Sequence, residues 1–135
     1  MSDHINFCKG AAALLASLCT FLFGGADMWL YALIAFVIID YATGIVAAVV
    51  NKALSSRSGF VGILKKILYF AIVAVAHIVD EATNLGGSLR TLVIAFLVAN
   101  EGISILENCA RSGLPIPKKL MEVLEQIREK EDTAE

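Results

Sequence analysis

Two carboxylates stand where carboxylates are expensive. Asp40 is the single charge in the apolar stretch Met28–Val50, MWLYALIAFVIIDYATGIVAAVV, and Glu101 follows the apolar run Thr91–Ala99. An Asp at the centre of a membrane helix costs about 2.5–3.5 kcal/mol on insertion scales, so such groups mark proton relays, ion paths or polar contacts between helices. Asp40, Thr43 and Gly44 fall at i, i+3 and i+4 and give one helix a small polar face. Asn100, Glu101, Ser104, Glu107 and Asn108 give another helix a second such face. Both faces are expected to turn inward, toward each other, toward basic groups or toward water. His77 and Asp80 are spaced to hydrogen-bond each other along a third helix. Two roles are open to these polar groups: lining a water-filled lumen after assembly, or gluing helices together, at an average gain of about 0.6 kcal/mol per bond.

Other chemistry finds no support. There is no GxSxG, HExxH or Walker loop, and no cluster of metal ligands, so no catalytic residue, metal site or cofactor is expected and the chain is read as a non-enzyme. Ser55, Ser56 and Ser58 have no base nearby. Cys8, Cys19 and Cys109 form no CxxC pair and are odd in number, which suits small apolar fillers rather than a disulfide framework.

The elements that must carry these groups are set by composition. Of 135 residues, 58% are hydrophobic and only 18% charged, with mean hydropathy +0.75. A single aqueous core of this size cannot hide so much apolar surface, whereas a bilayer can. The net charge of -2 argues against nucleic acid as a partner. Four spans are expected, at about 10–26, 28–50, 65–82 and 91–108, forming a transmembrane domain over 1–111. Residues 51–66 read as a basic turn with a short interfacial helix, because Phe60, Val61, Ile63, Leu64 and Ile67 sit beside Lys65 and Lys66. Lys9 and Gly24-Gly25-Ala26 flank the first stretch in the manner of a cleavable leader, so a three-span form, with that stretch removed or lying flat, is the alternative. After Ser112-Gly113 and Pro115-Ile116-Pro117 comes a tail, 112–135, with an amphipathic cytoplasmic helix over 118–131. The fold class is therefore all-α integral membrane: a bundle of four transmembrane helices plus that C-terminal helix.

Orientation follows from Lys and Arg. The 51–66 segment has Lys52, Arg57, Lys65 and Lys66, and the tail has Lys118 and Lys119 among its bases, while the segment 24–27 has none. Basic loops stay in the cytoplasm, so both termini are expected there. Small residues are spaced for close helix contact within and between chains: Ala12 with Ala16, Gly44 with Ala48, and Ala95 with Ala99.

Certain runs carry a resemblance. They are Asp40-Tyr41-Ala42-Thr43-Gly44, then Leu54-Ser55-Ser56 with Gly59, Gly62 and Lys65-Lys66, then Ala76-His77 with Asp80, and Leu89-Arg90-Thr91. The most specific is Asn100-Glu101-x-x-Ser104-x-x-Glu107-Asn108 followed by Pro115-Ile116-Pro117. Over roughly 38–127 the chain resembles the toxin-secretion/phage-lysis holin family, which includes clostridial toxin-export holins and holins of phages of Gram-positive bacteria. The resemblance implies a homo-oligomer in the bacterial cytoplasmic membrane that assembles into lesions. An endolysin or a toxin would pass through without stable binding, and host-cell lysis would follow. The alternative function is a small ion- or proton-coupled transporter or channel, since intramembrane acids serve those too. A membrane interaction subunit without transport is a third reading.

Overall fold

The computed structural model describes residues 2–132, with side chains from 4 to 130, and consists of five helices. They are α1 (Ser2–Phe23), α2 (Met28–Val50), α3 (Ser56–Thr83), α4 (Ser88–Arg111) and α5 (Lys118–Asp132). Helices α1 to α4 are each long and apolar enough to cross a membrane. No charge interrupts Gly10–Phe23 on α1, and α1 already begins at Ser2, so the helix is longer than its apolar run.

The connections have local causes. Asp27 accepts the Leu30 N–H at 2.9 Å and so starts α2. Ser55 accepts the Ser58 N–H at 3.4 Å and starts α3. These side chains satisfy donors that the first helical turn leaves without partners. Asn84, with φ 56°, ends α3 in the left-handed conformation, and Gly86 and Gly87 continue the turn at φ 66° and 83°. Asn and Gly tolerate that region best. Pro115 and Pro117 keep α4 and α5 apart.

The third span departs furthest from the sequence reading. From Ser56 onward the basic segment, the short interfacial helix and the third span are a single helix, α3, of 28 residues, and only 51–55 remain outside it. Nothing between Ser56 and Ile67 removes a backbone donor, and Gly59 and Gly62 are tolerated in a helix interior at modest cost. At 1.5 Å per residue such a helix is about 42 Å long, more than the ~30 Å hydrocarbon core, so its first turns extend past the lipid tails or the helix tilts.

The core is small and lies between α2, α3 and α4. Leu33, Val73, Ile94 and Leu97 are buried together, with Val37, Tyr69 and Phe70 against them. Phe23 brings the end of α1 to this cluster by an edge-on contact with Phe70, ring centres 6.1 Å apart. Upstream of Phe23, α1 is almost wholly exposed, Ala12 and Ala16 included. Most large apolar side chains elsewhere also point outward, Ile38, Val50, Leu68 and Val75 among them. A surface this greasy fits lipid contact.

Helix α5 turns back onto α4. Met121, Leu124, Glu125, Ile127 and Arg128, at helical spacing, are its half-buried residues. Leu124 reaches Gly102, where an added Cβ would stand 2.9 Å from Leu124 Cδ1 and 3.2 Å from Phe36 Cε2.

Candidate functional site: a charged triad inside the bundle

The two acids singled out by the sequence meet on one lysine. Asp40 comes from α2, Glu101 from α4 and Lys66 from α3. Lys66 Nζ lies 2.8 Å from Asp40 Oδ2 and also pairs with Glu101 Oε2. The three side chains are 15%, 10% and 2% exposed, so water does little to screen them. The Lys66 ammonium also lies 5.6 Å from the centre of the Tyr69 ring. Counted among the basic residues of the cytoplasmic loop, Lys66 instead points into the bundle, because α3 begins ten residues earlier and carries it inward. Lys65, next along the helix, stays exposed, as do Lys52 and Arg57.

Asn108 extends the cluster toward the α2–α3 turn. Its Nδ2 donates to Asp40 Oδ1 at 2.9 Å, to Asp40 O at 3.2 Å and to Thr43 Oγ1 at 3.2 Å. Its Oδ1 accepts from Arg111 Nη2. Asn51 closes that end by donating to Arg111 O at 3.1 Å. Gly44 gives the room, since a Cβ there would stand 3.5 Å from Asn108 Nδ2. A cleft of about 410 Å³ runs here, with Asp40, Lys66, Ser104, Asn108 and Arg111 beside apolar residues such as Ile45 and Leu54 in its lining. Ala48 also lines it.

The remaining polar candidates are elsewhere. Asn100 is half-buried and Glu107 is exposed on α4. Ala95 and Ala99 are buried on the same helix. Lys118 and Lys119 are exposed at the start of α5, and Lys119 meets Glu122 at 3.6 Å.

At the opposite end of the bundle a second network holds the turns. Asp80 is buried, but it does not bond His77: its carboxylate accepts the Gly87 N–H at 3.1 Å and the Arg90 N–H at 2.6 Å. Backbone donors at the start of α4 take the carboxylate, because a helix N-terminus has N–H groups without partners and favours a negative charge. His77 packs against Gly24 instead, where a Cβ would stand 2.7 Å from its Nδ1. The Arg90 side chain crosses to the α1–α2 turn. It donates from Nε to Phe23 O at 2.5 Å, from Nη1 to Asp27 Oδ2 at 2.6 Å, and from Nη2 to Gly25 O at 3.2 Å. This hydrogen bond from Arg90 holds the Asp27 carboxyl below its ordinary value of 3.8. Sequence reasoning gave Arg90 only as part of the Leu89-Arg90-Thr91 run and paired neither it nor Asp27 with a partner. The available signals were an Asp directly before an apolar helix and a lone base in an otherwise base-poor end.

Four membrane-length helices, with a lysine bridging two acids between three of them, define an integral membrane protein with a buried charge cluster. Residues 17–129 match the bacteriophage holin family, and the chain belongs to that family. An uncharacterized 14.9 kDa protein of Clostridium perfringens is 41% identical over 96% of this chain and 99% of its own length. Protein YqxH of Bacillus subtilis, also uncharacterized, is 38% identical over 83% of this chain and 79% of its own. A protein of Bacillus phage phi105 named "Probable holin" is 40% identical over 70% of each chain. No solved structure matches.

Proposed function

We propose that this protein is a holin: copies accumulate in the bacterial cytoplasmic membrane and then assemble into lesions that pass an endolysin, or a toxin, and so trigger lysis. The observation that carries the reading is the family match over residues 17–129, with the phage relative named "Probable holin" beside it. The geometry agrees with it. Exposed apolar helices suit lateral assembly in lipid, and α1, with Ala12 and Ala16 on its free surface, has little packing within the chain to lose.

Both termini lie in the cytoplasm in this proposal. Lys52 and Arg57, beside and just after the α2–α3 turn, fall toward the end of the bundle joined by the Asn51–Arg111 bond. In the resting chain the Asp40–Lys66–Glu101 triad glues three helices, and the cleft beside it is where water enters from the cytoplasmic side.

Induced expression together with a cytoplasmic endolysin tests this. Growth should stop abruptly and the endolysin should reach the wall, giving a fall in turbidity. Intact cells with ion- or substrate-dependent uptake would replace the proposal by a transporter or channel.

A further inference from the structure

The C-terminal helix is docked at a depth where its outer face has no business meeting lipid. Leu124 touches the notch formed by Gly102 and Phe36. Gly102 lies near the middle of α4, and Phe36 near the middle of α2. Both helices qualify as spans, so Leu124 sits close to the mid-depth of the bundle. Glu122 is two residues away, about 3 Å along the helix, well inside a hydrocarbon half-thickness of about 15 Å. Yet Lys119 and Glu122 turn outward, with side chains 82% and 56% exposed. Charged groups at that depth belong against protein or water, since lipid tails reject them.

We propose that the face of α2 and α4 around Phe36 and Gly102 is the water-facing side of the assembled protein, and that α5 is a plug seated on it. This rests on the holin reading and adds a gate to it, with the C-terminus reaching the cytoplasm once α5 has left its seat. Met121 and Leu124 on one side of α5 meet the wall; Lys118, Lys119 and Glu122 on the other side meet the aqueous space. Gly102 makes the seat: an added Cβ there would stand 2.9 Å from Leu124 Cδ1, so Leu124 would have to shift from its place. The link 112–117 is the hinge, with Gly113 at φ 90° and two prolines to keep it from joining either helix. Departure of α5 opens the passage.

A reversible lock tests the plug. Cys8, Cys19 and Cys109 are changed to Ser, and Gly102→Cys with Leu124→Cys is added. The protein is reconstituted in lipid vesicles loaded with a soluble dye. Oxidation should give a faster-running monomer on a gel and slow dye release at least about tenfold, and reductant should restore it. In a separate cysteine-free variant, Glu122→Cys should react with a membrane-impermeant maleimide added on both sides. Failure to lock in the bilayer, or an unlabelled Glu122→Cys, overturns the water-facing seat. A locked protein that releases dye at the unlocked rate overturns the plug. A parent that never releases dye counts against the holin reading instead, and the lock and the labelling still decide where α5 sits.

Discussion

The middle of the bundle and its turn end both hold buried charge, and they handle it differently. In the middle, Lys66 supplies one positive charge to two carboxylates from two other helices, and all three are side-chain partners. At the turn end, Asp80 and Arg90 spend most of their bonding on backbone: Asp80 on two N–H groups at the start of α4, Arg90 on the carbonyls of Phe23 and Gly25. The turn end therefore fixes connections: Asp80 caps the start of α4 locally, and Arg90 ties that start to the α1–α2 turn. The middle fixes which helices stand together, and its charges match only in one arrangement.

The largest expected effect comes from breaking the triad on one side only. Lys66→Met leaves two carboxylates without a cation and should destabilise the detergent-solubilised protein by about 3–5 kcal/mol, read as a lowered melting point or rapid proteolysis. The triple change Asp40→Asn, Lys66→Met, Glu101→Gln should recover most of that loss, because neutral groups carry less desolvation cost. If the triple variant is as unstable as Lys66→Met alone, the triad is more than a balance of charge.

Next comes the turn end. Arg90→Met removes charge-assisted bonds to Asp27 and to two carbonyls and should cost about 1.5–3 kcal/mol in the same melt. Asp80→Ala should cost about 1–2 kcal/mol, in the range of a lost N-cap, and raise amide exchange at Gly87 and Arg90. A loss at the turn end larger than that of Lys66→Met would reverse the comparison.

Acid gives a smaller and signed effect. The folded pKa of Asp27 is lowered from 3.8 by Arg90, so its stabilising contribution is complete above that value and disappears as pH falls through the lower folded value. The wild-type protein should therefore lose more stability below pH 3.8 than Asp27→Asn does, with the two curves parallel above it. Smallest of all is the exposed Lys119–Glu122 pair, for which Lys119→Ala should shift stability by less than about 0.5 kcal/mol.

Much of this was legible in the chain, and the reasons differ by region. Spans α2 and α4 could be read from length and hydropathy, and Asp40, Glu101 and Asn108 from their cost inside apolar stretches. Asp40 and Asn108 share a hydrogen bond across 68 residues, which no local periodicity encodes; only the cost of leaving each alone points to a partner. Lys66 was misplaced because a lysine pair looks like a membrane boundary, whereas the helix register sends Lys65 out and Lys66 in. The Asp80–Gly87 bond was invisible because the acceptor chooses backbone donors, and those have no signature in side-chain spacing. The amphipathic pattern of α5 announced a helix but not its seat on Gly102, since a glycine within a span reads equally as packing or as chance.

Size-resolved leakage tests the account most directly. Purified protein is added to lipid vesicles that hold both an ion-sensitive dye and a folded enzyme about the size of an endolysin. The account predicts that both contents escape together once the protein density passes a threshold. Escape of ions alone, with the enzyme retained at every density, would contradict it.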